Sequence, residues 1–168
     1  PFRHLALTNV VIARRWPDAQ RASAEPLVSV VVPARNEAGN IPHILARVPE
    51  MGAGTEIVFV EGHSRDNTYQ AIEEAITAHP ERRCRLLRQT GVGKGDAVRA
   101  GFTAAAGEVF MILDADLTVP PEDLPRFYEA LRSGVGEFVN GVRLVYPMER
   151  EAMRTLNLAA LLVTIAVL

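Results

Sequence analysis

A chain of 168 residues, 48% apolar and 23% charged, is long enough for one domain with a real core plus a tail. A formal net charge of −2 and only 6% aromatic residues argue against nucleic acid as a partner, since neither a basic face nor a stacking platform is implied. The single Cys84 excludes an internal disulfide framework, no Cys/His zinc spacing is present, and a reducing cytoplasmic setting is expected.

In chain order, residues 5–14 (LALTNVVIAR) read as a β-branched strand without a turn or partner of its own, and WPDAQRASAEP (16–26) reads as a linker. Residues 1–26 are therefore expected to be a tail, either the end of a preceding domain or a loosely packed extension. The segment 2–14 also bears a short likeness to the closing stretch of class I methyltransferases. From Leu27 the pattern becomes regular. LVSVVVP (27–33) is a continuous apolar run, as in a strand buried on both faces. Asn40 is the candidate N-cap of a helix with Pro42 in its first turn, running to about Val48. EIVFVE (56–61) predicts a second buried strand. Asp66 or Ser64 is expected to cap the next helix, with Ile72, Ala75 and Ile76 as its apolar stripe. CRLLRQ (84–89) predicts a third strand, and the GVGKG loop leads into a helix carrying Val98, Phe102 and Ala105 on one face. EVFMILD (108–114) predicts a fourth strand, Pro120-Pro121 opens a helix with Leu124, Phe127, Tyr128 and Leu131, and EFVNGVRLV (137–145) predicts a fifth strand.

Alternating, mostly apolar strands and helices predict an α/β fold with a mostly parallel sheet and helices on both faces. Residues 27–147 form the expected domain. Residues 148–168 begin with Glu149, Arg150, Glu151 and Arg154 and turn apolar from Leu156 to Leu168, a run shorter than the ~20 residues of a membrane span. Two readings stand: an amphipathic helix at the sheet or a membrane surface, and a core helix of the same domain. The first residue is not Met and the apolar run is cut off, so the expectation is a fragment, incomplete at its C-terminus.

Ligands of such sheets bind at the carboxyl ends of the strands. The chemistry-bearing residues gather there: Pro33-Ala34-Arg35-Asn36-Glu37, Glu61 to Asp66, Gly91 to Asp96, and Asp114-Ala115-Asp116. Asp114 and Asp116 share a face if the strand stays regular, so both carboxylates would converge and hold Mg²⁺ or Mn²⁺ with sites left for phosphate oxygens. An isolated Asp-x-Asp is more often a polar turn, but two acids directly after apolar Met111-Ile112-Leu113 repel each other without a cation. The Gly-rich loop opens a helix, where backbone N–H groups face an anion, and Lys94 adds charge. It is neither a Walker A loop nor GxGxxG. Glu37 and Glu61 suit hydrogen bonds from a ribose or base edge, and suit equally a helix first-turn acid and a strand terminator. His63 reads as a loop residue, and no Ser/His/Asp set is present.

VSVVVPARNEAGNI, IVFVEGHSRDNT, GVGKGDAVRAGF and MILDADLTVPPEDL, taken as an ordered set over residues 27–145, resemble the family-2 glycosyltransferases, nearest the branch that acts on dolichyl and polyprenyl phosphates. The resemblance implies a GT-A, Rossmann-like nucleotide-sugar domain and a metal-dependent, inverting transfer from a GDP- or UDP-sugar to a lipid phosphate, at the cytoplasmic face of a membrane. It places Pro33, Ala34, Asn36 and Glu37 in the segment that holds the nucleoside. Glu61 takes the place of the first acid of the family's Asp-Asp-Gly-Ser, and Lys94-Gly95 that of its Lys-Gly. Asp114, Ala115 and Asp116 match the donor-binding Asp-x-Asp, the two acids serving the metal. Arg143, in Gly141-x-Arg143, matches a phosphate contact. Gly62 stands where the second Asp is usual and His63 where Gly is usual, which leaves base selection open. No catalytic base is implied, because a phosphate acceptor is already anionic, whereas a hydroxyl acceptor would need one. The competing readings are a catalytically silent nucleotide-binding or scaffold domain and a sugar nucleotidyltransferase. The latter would need an Arg-rich Gly loop after the first strand, which PARNEAGN does not resemble.

Overall fold

A computed structural model describes residues 25–134 and 136–141. The lone strand at 5–14, most of the linker, Arg143 and the segment 148–168 lie outside the described residues. Four strands, β1 (Val28–Ala34), β2 (Thr55–Glu61), β3 (Arg83–Arg88) and β4 (Val109–Ile112), alternate with the helices α1 (Ile41–Arg47), α2 (Thr68–Ala78), α3 (Lys94–Ala104) and α4 (Leu124–Arg132). A 3₁₀ turn, Pro121–Asp123, leads into α4.

The strands form one sheet in the order β3-β2-β1-β4. All three pairings are parallel, so each connection must cross over through a helix. β1 and β2 are central and apolar on both faces. Val28, Val30 and Val32 pack with Ile57 and Phe59 against Ile41, Ile44, Leu45 and Ile72 of α1 and α2. Val31, Val58 and Val60 point the other way, onto Ala97 of α3. Each fully buried Val, Ile, Leu or Phe contributes roughly 1.5–3 kcal/mol, so this two-sided core is what fixes the strand ends in space.

Several boundaries differ from expectation. β3 starts one residue earlier than expected and is an edge strand, so Arg83, Arg85 and Arg88 are exposed while Cys84, Leu86 and Leu87 are partly buried. α3 meets the sheet through Ala97 and Gly101 rather than through Val98, because the helix approaches β1 closely. A Cβ on Gly101 would lie 2.3 Å from Val31 Cγ1. β4 ends at Ile112, with Leu113 N adding one more bond to Val31 O at 3.0 Å. Residues 137–141 of the expected fifth strand are not strand, and 142–145 lie outside the described residues. Glu25 and Pro26, the end of the expected linker, are tied down: Tyr128 donates to Glu25 at 2.5 Å and Ala53 N to Pro26 O at 3.0 Å.

The end of the sheet opposite the strand carboxyl termini holds a buried charge. Glu56 accepts hydrogen bonds from Ser29 (2.7 Å) and from Ala106 N (2.8 Å) and pairs with Arg85 at 2.7 Å. Ser29 in turn accepts from Gly107 N at 2.9 Å. A buried carboxylate is tolerated only when paired and hydrogen-bonded in this way.

Candidate donor site at the strand ends

The parallel register brings Ala34, Glu61 and Arg88 side by side, so the loops after β1, β2 and β3 leave the sheet together. The first two are cross-stitched. Asn36, at φ +58°, donates its N–H to Ser64 Oγ at 3.0 Å and accepts from Arg65 N at 2.8 Å. Glu37 N donates to Thr68 Oγ1 at 2.9 Å. The expected cap of α1 falls in place and that of α2 moves by one residue. Asn40 occupies the N-cap position of α1 without a side-chain cap and instead donates to Glu37 Oε2 at 2.7 Å. Asn67 precedes α2, while Asp66 accepts from Thr68 N and Thr68 Oγ1 (3.1 and 2.5 Å). The Thr68 hydroxyl bond lowers the Asp66 pKa below the ordinary carboxylate value.

Glu61 is buried and accepts from Ser64 N at 2.5 Å, closing its own turn. Behind it, Gly62 leaves space that a side chain would take: an added Cβ would sit 3.0 Å from Gln89 Oε1. Gln89 is itself buried and donates to Gly93 O (2.8 Å) and to Asp96 Oδ2 (3.0 Å), while Gly91 N reaches Asp96 Oδ2 at 3.2 Å. His63, at φ +57°, meets Gly91 O through Nε2 at 3.0 Å. A carbonyl only accepts, so Nε2 carries the proton. The Gly-rich loop is thus held in shape by Gln89, Asp96 and His63.

The loop delivers Lys94 to the first turn of α3. Its Nζ pairs with Asp114 Oδ1 at 2.5 Å across the mouth of the sheet. Asp114 and Asp116 lie in the turn after β4, not in the regular strand the sequence pattern predicts. Asp114 O accepts Leu117 N at 3.1 Å, and Asp116 Oδ1 accepts Thr118 N at 3.0 Å. Both acids still face one cavity of about 480 Å³. Of the residues singled out in the sequence, Pro33, Ala34, Glu37, Lys94, Asp114, Ala115 and Asp116 line it. Asn36 and Glu61 brace the loops behind it, Gly95 lies in the first turn of α3 without lining it, and Arg143 lies outside the described residues. Arg35, Gly62 and Val92, members of the strand-end clusters without an assigned role, line the cavity as well, and so does Gln89, which no sequence pattern marks.

The donor set fits a hard divalent cation. Two carboxylates from one turn leave most of an octahedral shell to water and phosphate oxygens, as Mg²⁺ prefers, and the Lys94 ammonium already sits against one of them. Among the described residues no group of three or more His, Cys, Asp or Glu forms a protein-only cage. Nor is any helix among them long and apolar enough to cross a membrane.

Comparison with known proteins agrees with this geometry. The chain is 36% identical over 109 residues to a dolichol-phosphate mannosyltransferase of Pyrococcus furiosus, covering 64% of this chain and 30% of that one. It is 34% identical over 138 residues to an undecaprenyl-phosphate 4-deoxy-4-formamido-L-arabinose transferase of Pseudomonas fluorescens, covering 79% of this chain and 40% of that one. The chain therefore spans well under half the length of these relatives. Among solved structures, a mannosyltransferase of Pyrobaculum calidifontis in complex with GDP-Man and Mn²⁺ superposes with a TM-score of 0.59 at 30% identity, over 72% of this chain and 36% of that one. Glucosyl-3-phosphoglycerate synthase of Mycobacterium tuberculosis shares the fold, with a TM-score of 0.54 at 24% identity over 69% of this chain and 42% of that one. The sheet is accordingly that of GT-A glycosyltransferases. The profile described as Glycosyl transferase family 2 matches residues 29–162, from β1 to beyond α4, and the chain belongs to that family.

Proposed function

We propose that this chain is the donor-binding part of a glycosyltransferase that moves a sugar from a GDP- or UDP-sugar to a lipid phosphate of the polyprenyl or dolichyl class. The observation that carries this reading is the meeting of Asp114, Asp116, Lys94 and the β1-end segment in one cavity. The relatives' names, dolichol-phosphate and undecaprenyl-phosphate transferases, support the acceptor, and the GDP-Man and Mn²⁺ of the Pyrobaculum enzyme support the donor and the metal. Residues 27–147 are the proposed nucleotide-sugar domain, with 1–26 and 148–168 flanking it. The working place is the cytoplasmic face of a membrane, where a lipid phosphate is presented.

Pro33, Ala34, Asn36 and Glu37 hold the nucleoside, and the stitching of their loop to β2–α2 keeps that surface rigid before binding. Glu61 shapes the wall beside them. Asp114 and Asp116 would hold Mg²⁺ or Mn²⁺, which would supply Lewis-acid neutralisation of the leaving diphosphate. Lys94 and the first-turn amides of α3, Lys94 and Gly95, add positive character where phosphate oxygens lie. Arg143 is the proposed further phosphate contact. The acceptor phosphate is anionic at neutral pH, so the chain need supply no strong base, and direct attack on the anomeric carbon inverts it.

The test is calorimetry of GDP and UDP binding with Mn²⁺. Asp114→Asn and Asp116→Asn are each expected to abolish the Mn²⁺-dependent part, a loss on the order of several kcal/mol, with an unchanged circular dichroism spectrum. Equal affinity with metal, with chelator and in both variants would overturn the assignment.

A further inference from the structure

We infer that Lys94 is an exchangeable partner that occupies Asp114 until a diphosphate arrives, so that nucleotide diphosphate and divalent cation load as a coupled pair. The inference rests on the proposed function above and adds a coupling between its two ligands. Lys94 Nζ lies 2.5 Å from Asp114 Oδ1, and the two side chains remain 60% and 41% exposed. An ion pair so open to water shifts an equilibrium by no more than about fivefold, which makes it a latch and not a lock.

Three features make the pair ready to exchange. Lys94 opens α3, where the helix dipole presents its positive end, so an ammonium there is poorly placed by the backbone and well placed only by Asp114. A phosphate group prefers that same helix end. Asp96 N and Ala97 N already bond to Gly93 O at 3.2 and 3.3 Å, so the amides of Lys94 and Gly95 are the first-turn donors without an intrahelical acceptor. Lys94 also stands between two glycines. A Cβ on Gly93 would meet nothing within 4 Å, and one on Gly95 would meet only Arg99 Nη1 at 3.7 Å. Neither glycine puts a side chain beside the lysine stem, and the exposed Lys94 side chain is free to swing.

With the pair closed, a cation arriving alone meets a carboxylate already neutralised, and a diphosphate arriving alone meets a lysine already engaged. When the diphosphate takes the ammonium, Asp114 is released to the cation. Each ligand removes the obstacle to the other, and thermodynamic linkage makes the gain reciprocal.

The experiment is a titration of the chain with Mn²⁺, followed by electron paramagnetic resonance, with and without GDP or UDP. Lys94→Gln and Lys94→Ala are expected to bind Mn²⁺ alone about two- to fivefold more tightly than wild type. The same variants should bind the diphosphate about tenfold more weakly, and the factor by which diphosphate tightens Mn²⁺ should shrink. Unchanged or weaker binding of Mn²⁺ alone in both variants, or an undiminished coupling factor, overturns the exchange. Asp114→Asn separates the two levels. If wild type binds Mn²⁺ and Asp114→Asn does not, while the Lys94 variants match wild type, the exchange alone falls. If wild type binds no Mn²⁺ even with diphosphate, the metal reading and the exchange fall together.

Discussion

Gly91 shows how one residue governs the Gly-rich end of the cavity, where the proposed function puts the phosphates. Its amide is pinned to Asp96, and a Cβ at this position would lie 2.6 Å from the Asp96 carboxylate. Gly91→Ala is therefore expected to push Asp96 away and release the loop from Gln89, weakening GDP or UDP about tenfold while guanosine or uridine binding changes little. Competition binding with the nucleoside and the nucleotide measures both, and equal weakening of the two would remove the loop from the phosphate role. The glycines and Lys94 were legible in the sequence because a Gly-rich stretch that opens a helix exposes its backbone amides whatever surrounds it. Gln89 was not. It looks like the last residue of an ordinary strand, and its buried amide acquires meaning only when β3 ends beside the loop that follows it. The paired acids were legible by type but misplaced by geometry: the alternation of a strand was extended two residues past the point where Asp114 turns the chain.

Among the elements, α3 is the one whose seat matters most, since it carries Lys94 at one end and crosses β1 at Gly101. The contact with Val31 leaves no room for a methyl group. Gly101→Ala is expected to destabilise the fold by about 1–3 kcal/mol through overpacking, read as a lowered denaturant midpoint at constant slope. Periodicity placed α3 correctly, and Phe102 and Ala105 of its expected face do pack against the Val31, Val58 and Val60 cluster, but the fully buried contacts are Ala97 and Gly101, because apolarity marks the face and close approach does not. At the opposite flank, Arg47 of α1 grips Glu122 with two hydrogen bonds of 2.7 and 2.8 Å, tying the turn before α4 to the core. The guanidinium holds the Glu122 carboxyl down from 4.5 to about 2. A carboxylate with a depressed folded-state pKa contributes stability above its ordinary value and loses it as pH falls toward the lowered one. Thermal melts of Glu122→Gln should therefore show a shallower loss of stability than wild type between pH 4.5 and about 2. Coincident acid limbs would mean that the contact contributes nothing in solution.

For the whole molecule, ligand binding should appear as stability. A ligand present at a hundredfold excess over its Kd adds about 2.7 kcal/mol, which raises the melting temperature by several degrees. GDP or UDP with Mn²⁺ is expected to produce that shift, and excess chelator to cancel most of it. An identical shift in chelator would detach the nucleotide from the metal. The parallel sheet with helices on both faces was readable from β1 and β2, whose unbroken apolar runs admit only burial on two sides. β3 was readable to within one residue, but not its place at the edge, where one uncovered flank tolerates the exposed Arg83, Arg85 and Arg88. Residues 137–141 mislead for a related reason: EFVNG has strand-forming residues but no partner strand among the described residues.

The register of β1 has a consequence for the birth of the protein. β1 lies between β2 and β4, and Val28 pairs with Val109. A ribosome adding about 5–20 residues per second needs on the order of ten seconds to pass from one partner to the other. Throughout that interval β1, a strand buried on both faces, has an unfilled side, a template for any other nascent strand nearby. The partner strand β2 is available before β4, and the cavity is complete only when Asp116 has emerged. Pulse-labelled chains halted between β3 and β4 should accordingly be captured by chaperones, and chains halted well beyond α4 should escape them.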